Sequence, residues 1–190
     1  ILEREKFKKM GPKRRRSFLA ARIALKRLYR HCHAREKNTP ADTIETVHQD
    51  APPPRLGSKH PSGLRHCSVS HDRRFAIAIA NTEPVGVDVE VVSDKALRSA
   101  RLFMSEEEQD LVQRSDMDDE HAAMRIWSIK EAAAKAIGMD LAESWQRVQV
   151  TAAGERESTV SVNGQKTIAR HATVEGHLFT VMSLSKAPLA

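Results

Sequence analysis

Cysteine is scarce. Only Cys32 and Cys67 occur in 190 residues, in neither a CxxC nor a CxxxC pair, which excludes a disulfide-built scaffold and makes a reducing compartment the default. No apolar run approaches the ~20 residues of a membrane span, and the first thirty residues are too charged for a secretory apolar region. A cytoplasmic protein without a membrane partner is expected. Aromatic residues make up only 4% of the chain, which argues against a surface that stacks single-stranded bases. Eight glycines and eight prolines are spread along the sequence, and no residue type dominates a long window. Collagen-like, mucin-like and wholly disordered chains are thereby excluded.

What is present fits one compact unit or two small packed lobes: 40% hydrophobic and 29% charged residues. The formal charge of +6 is local. Residues 1–30 hold twelve lysines and arginines against two glutamates, whereas residues 31–190 hold nineteen against twenty-three acids. Such a basic segment suits nucleic acid, an anionic membrane or a small polyphosphate, and charge alone does not choose among them.

The string RRRSFLAARIALKRLY at 14–29 has apolar residues at helical intervals and predicts a helix on which Arg14 or Arg15 and Arg22 point to one side. A solvated face is the plain alternative. Prolines 40, 52, 53, 54 and 61 predict loop over 36–63, with a short strand near 44–47 and a turn at 57–61 that carries Lys59. Strands are expected at Cys67–Val69 and Phe75–Ala80, joined by a turn at Ser70–Arg74, with a third at Val85–Val92. Short helices at 96–103 and 105–114 precede a long one at 119–137, closed by Gly138. From Gln146 onward strands alternate with turns at Ala153-Gly154, Asn163-Gly164 and Glu175-Gly176. Helices interrupting antiparallel strands without βαβ alternation indicate an α+β fold.

Two segments carry candidate chemistry. In VGVDVEVV the odd positions from Val85 form an apolar face, and Asp88 and Glu90 project from the other, ~7 Å apart at Cα. A hard divalent cation, Mg2+ first, is the usual bridge for such a pair; a half-exposed strand with its polar side in water is the alternative. In WSIKEAAAKAIG, Trp127, Glu131 and Lys135 fall on one helical stripe, and three alanines allow close approach to a sheet. Glu131–Lys135 is either part of a site or an ordinary surface pair worth ~0.3–0.5 kcal/mol. Ser105 to Glu108 reads as a capping box, which explains Glu108 without chemistry. Ser70-His71 can face an anion, but with no GxSxG elbow a serine hydrolase is excluded. His31, Cys32 and His33 lack the second half of a zinc site.

In this order, GVDVE at 86–90 and WSIKEAAAKAIG at 127–138 resemble the 4'-phosphopantetheinyl transferases, in the larger monomeric kind with the W…KEA…K motif. SVSH at 68–71, GSKHP at 57–61, LFMSEEE at 102–108 and RRRSFLAAR at 14–22 support the likeness, which runs over most of residues 14–185. The resemblance implies Mg2+, with Mn2+ as the alternative ion, on Asp88, Glu90 and Glu131. It implies Glu131 as general base for an incoming serine hydroxyl and Lys135 beside the pyrophosphate. Arg14, Arg22, Lys59 and His71 would contact coenzyme A phosphates, and Ser70 would shape their turn. The substrate would be coenzyme A, the partner an apo acyl or peptidyl carrier protein, and the by-product 3',5'-ADP.

Two pseudosymmetric lobes are also implied, each a small antiparallel sheet with helices, divided near Pro84 into residues 1–84 and 85–190. The family usually has further strands ahead of the basic helix, so some N-lobe structure is expected to lie beyond this sequence. Asp72 departs from the pattern, and is expected either to weaken a phosphate contact at His71 or to pair with Arg73 or Arg74. The rival readings are a degenerate fold that binds coenzyme A without turnover and, more distantly, a basic nucleic-acid module at residues 4–30.

Overall fold

The computed structural model describes residues 2–33, 38–44, 46 and 66–184. Lys59 and its turn lie outside these residues, as do residues 45 and 47 of the strand expected near 44–47.

Two helices open the chain, α1 (Leu2–Lys8) and α2 (Pro12–Cys32). Pro12 opens α2 at a position where its missing N–H costs nothing. Ala21 and Leu25 face inward, and Leu25 clusters with Cys67, against which Val69, Ala78 and Ala80 pack, on a two-stranded antiparallel sheet of β1 (His66–His71) and β2 (Ala76–Asn81). Several basic groups of α2 work inside the fold. Lys26 bonds Glu3 and the carbonyl of Ala41, while Arg30 donates twice to the carbonyl of Thr39. Part of the local positive charge therefore ties down Thr39 and Ala41 rather than facing solvent.

The second sheet is antiparallel, in the order β3-β7-β6-β5-β4. Its strands are β3 (Val85–Val91), β4 (Val148–Ala152), β5 (Glu157–Val162), β6 (Gln165–Val174) and β7 (His177–Ser183). The β5–β6 and β6–β7 hairpins turn at Asn163-Gly164 and Glu175-Gly176, where all four residues have positive φ, the twist that two-residue hairpins require.

Between β3 and β4 lie α3 (Lys95–Arg98), α4 (Ala100–Phe103), α5 (Glu106–Gln113), α6 (Asp119–Ile137) and α7 (Leu141–Arg147). The helix expected at 96–103 is broken at Ser99. The helix α7, capped by the side chain of Asp140 on Glu143, stands where only a strand beginning at Gln146 was expected. Its Asp-x-x-Glu start was the available signal. Helix α6 ends at Gly138 with φ 71°, as the sequence indicates.

The alignment of α6 on β3 depends on Gly86. A Cβ there would stand 1.8 Å from the carbonyl oxygen of Ala132, so the helix backbone rests directly on the strand. Because the obstruction is backbone, relief requires α6 to move. Gly86→Ala is expected to lower stability by about 2–3 kcal/mol in denaturant titration; a loss below about 0.5 kcal/mol would contradict this packing.

Candidate functional site

Strand β3 is covered on both faces. Val85, Val87 and Val89 are buried, but so are Gly86 and Asp88, the latter only 2% exposed. The alternative of a polar strand face in water therefore fails at Asp88. The covering element is α6, whose buried alanines 132–134 permit the close approach.

Asp88 is held from three elements. Its Oδ1 accepts from Lys135 Nζ of α6 at 2.7 Å and from Ser70 Oγ of β1 at 3.0 Å; its Oδ2 accepts from Ser128 Oγ of α6 at 2.9 Å. Ser70 bonds several groups at once. It lies within β1, not in the expected turn, and its hydroxyl also accepts from Lys135 Nζ and from the backbone N–H of Val89. Ser68 accepts from Val87 N–H in the same way, so β1 closes the outer edge of β3 with serine hydroxyls in place of a strand ladder.

Glu131 stands 3.7 Å from Lys135 Nζ, and Trp127 Nε1–H reaches Glu90 Oε1 at 3.4 Å. Burial raises both glutamates above the usual carboxylate range, and the negative charge of Asp88 raises each further. Glu131 also raises Glu90, so the three carboxyls feel one another. Lys95, 5.4 Å from the centre of the Trp127 ring, draws both glutamates partly back down.

A half-buried imidazole adjoins this cluster. Burial first, then Lys135, lowers His71 below its ordinary value; Arg22 adds to the effect while Asp72 opposes it. Arg22 from α2 donates to the carbonyl and hydroxyl oxygens of Thr46 and covers the Phe18 ring, and its buried Nε has no partner among the described residues. Arg14, two turns earlier, is exposed, and no contact among the described residues joins it to the cluster. The pairing of Asp72 with Arg73 or Arg74 is corrected: its Oδ1 accepts from the backbone N–H groups of Arg74 and Phe75, and its Oδ2 pairs with His177 Nε2 at 2.8 Å. Arg74 pairs with Glu175 instead. Phe75 meets His177 and Phe179 edge-on, which fastens the hairpin to the larger sheet.

Glu108 is part of the scaffold. Both halves of its capping box with Ser105 are formed, its other oxygen accepts from Val150 N–H, and it pairs with Lys130 at 2.7 Å, both side chains being buried.

Three residues at the cluster escaped the sequence reading: Lys95, Ser128 and Thr180. Ser128 precedes Lys135 by seven residues, two helical turns, and so shares its face. Thr180 sits between Leu178 and Met182 on the buried face of β7, a polar residue at an apolar position. Behind them His171, also buried, is pushed down to about 4 by burial and by Arg125. The unfolded chain then binds a proton below pH 6.5 that the folded one refuses until near 4, so stability rises with pH across this window. Acidification from pH 7 to 4 is expected to remove about 3 kcal/mol through this residue. Parallel denaturation of His171→Asn should lack that share of the slope; an identical slope would contradict it.

A separate cavity of about 550 Å3 lies towards the N-terminal end of α6, lined by Met117, His121, Arg125 and Gly154 among others. None of Asp88, Glu90, Glu131 or Lys135 borders it.

The donor set fits a hard divalent cation, since all three carboxyls offer only oxygen and two of them are held high by burial and mutual repulsion that a cation would relieve. Among the described residues, however, no group of three His, Cys, Asp or Glu side chains is placed to hold a metal ion. The Lys135 ammonium supplies the positive charge at Asp88.

The family model of the 4'-phosphopantetheinyl transferase superfamily matches residues 84–182, just over half of the chain. This chain belongs to that superfamily. Among curated relatives it is similar to 4'-phosphopantetheinyl transferase gsp of Aneurinibacillus migulanus, 30% identical over 74 residues, which is 38% of this chain and 31% of that protein. It is likewise similar to 4'-phosphopantetheinyl transferase Sfp of Bacillus subtilis, 30% identical over 77 residues, 40% of this chain and 34% of that protein. The matched stretch thus spans about a third of the length of these relatives. Mixed helix with two antiparallel sheets agrees with the α+β expectation for the superfamily. Among the described residues no helix is long and apolar enough to cross a membrane.

Proposed function

We propose that this chain transfers the 4'-phosphopantetheine arm of coenzyme A to a serine of an apo acyl or peptidyl carrier protein, releasing 3',5'-ADP. The observation that supports it most is the convergence of Asp88 and Glu90 from β3 with Glu131 and Lys135 from α6, inside the region that matches the superfamily. Asp88, Glu90 and Glu131 would hold Mg2+ or Mn2+, an ion that stabilises charge on pyrophosphate oxygens when bound.

The remaining chemistry belongs to the chain. Glu131 takes the proton of the carrier serine as its oxygen attacks the β-phosphorus; burial has already raised this carboxyl towards the range of an effective base. The P–O bond to 3',5'-ADP breaks in line, and the Lys135 ammonium meets the charge that develops on the departing oxygen. His71 from β1 and Arg22 from α2 face the phosphates, and Arg22 Nε, which has no partner among the described residues, is a ready donor to an anion. Lys59 and Arg14 would add further phosphate contacts. Two lobes divided at Pro84, working as a monomer, would place the coenzyme between them.

Incubating the protein with coenzyme A, Mg2+ and a panel of apo carrier proteins tests the reading. Intact-mass measurement should show one phosphopantetheine arm added to at least one carrier. Unshifted masses throughout, with coenzyme A still bound, would favour the degenerate fold instead.

A further inference from the structure

Behind Asp88 runs a row of buried polar side chains that the transfer chemistry leaves unused. Register sets His171 of β6 opposite Thr180 of β7, and Thr180 opposite Asp88 of β3, so the three share one line across the sheet beneath α6. The contacts are continuous. Ser158 Oγ lies 2.9 Å from His171 Nε2, and His171 Nδ1 lies 3.0 Å from Thr180 Oγ1. Thr180 Oγ1 lies 2.8 Å from Ser128 Oγ, which lies 2.9 Å from Asp88 Oδ2. All five residues are buried.

We propose that this chain of hydrogen bonds carries a single proton order that locks His171 in its Nδ1–H tautomer and fixes the orientation of the Asp88 carboxylate, making His171 and Thr180 positioning residues for Asp88. The order follows from counting protons. A carboxylate only accepts, so the one Ser128 proton goes to Asp88. Thr180 must then donate to Ser128 and has only lone pairs left for His171. Nδ1 therefore carries the imidazole proton, and Nε2 accepts from Ser158, whose remaining capacity faces Gly154 N–H at 3.4 Å. The neutral imidazole this requires is the form that burial and Arg125 enforce. Histidine in water prefers the opposite tautomer, Nε2–H, so the lock is visible.

Asp88→Asn should reverse the order at a distance. Oδ1 accepts from both Lys135 and Ser70, so an asparagine oxygen takes that place and its NH2 group faces Ser128. Ser128 must then accept from it and donate to Thr180; Thr180 donates to Nδ1, and the His171 proton moves to Nε2, facing Ser158. No contact is added or removed at His171, so a purely structural role predicts no change there.

The importance of Asp88's orientation rests on the proposed transfer; the tautomer coupling does not. The experiment is NMR of 15N-histidine-labelled full chain, with His171 assigned by comparison with His171→Asn. The wild type should show the Nδ1–H tautomer from pH 6 to 8. Asp88→Asn should show Nε2–H, and Thr180→Val should abolish the response to Asp88→Asn. An Nε2–H tautomer in the wild type, or the same tautomer with and without Asp88→Asn, overturns the proposal; the wild-type spectrum alone decides if the Asn variant fails to fold. In carrier labelling, Thr180→Val should lower kcat at least tenfold with the KM for coenzyme A unchanged, and Thr180→Ser should restore it. If no carrier is labelled by the wild type, the transferase reading fails while the spectra still decide this one.

Discussion

Asp88→Ala is expected to lower kcat/KM for carrier labelling by at least about 1000-fold while leaving a folded protein. Three donors converge on this carboxylate, from β1 and from two turns of α6. Removing it leaves the Lys135 ammonium without its nearest partner and takes one of three oxygen donors from the proposed ion. Electrostatic positioning of this kind weighs most where water is excluded, and Asp88 is buried. Labelling rates followed by intact mass, with circular dichroism to verify folding, check it. Activity within tenfold of wild type would mean that the carboxylate is a structural tie.

Lys130→Met is expected to act on stability, with a loss of about 3–5 kcal/mol in denaturant titration. Lys130 is 1% exposed and Glu108 fully buried, so the substitution leaves a carboxylate facing an apolar core. Two further acceptors lose their donor, the carbonyl oxygens of Phe103 and Trp145. Those two aromatic residues flank Trp127, which bonds Glu90, so the ion pair also braces the acidic cluster from below. A loss under about 1 kcal/mol would show that water reaches Glu108.

Much of the site was legible because its parts lie in short, ordered strings. The alternation of VGVDVEVV set Asp88 and Glu90 on one face, and the stripe of Trp127, Glu131 and Lys135 set two more groups on a helix; the structure brings the two strings together through Gly86 and the alanines of α6. What the strings could not convey was depth. A strand of alternating valine and acid reads equally well half in water, and only the approach of α6 buries Asp88. Ser128, Thr180 and His171 were missed for a related reason, since each is an isolated polar residue whose partners come from another element. The pairing of Asp72 with an arginine was misjudged because its partner His177 lies more than a hundred residues away, while Arg73 and Arg74 are close in sequence. Of the residues expected on the basic side, the structure sets His71 near Lys135 and Arg22 near His71, and leaves Arg14 exposed away from them.

The most direct test is calorimetric titration of Mn2+ into the full chain in the presence of coenzyme A, comparing wild type with Asp88→Asn, Glu90→Gln and Glu131→Gln. One ion per chain should bind to the wild type, and each substitution should weaken it at least tenfold, whereas Glu155→Gln, in the wall of the cavity near the N-terminal end of α6, should not. Binding that survives all three substitutions unchanged would contradict a single cation site built from β3 and α6.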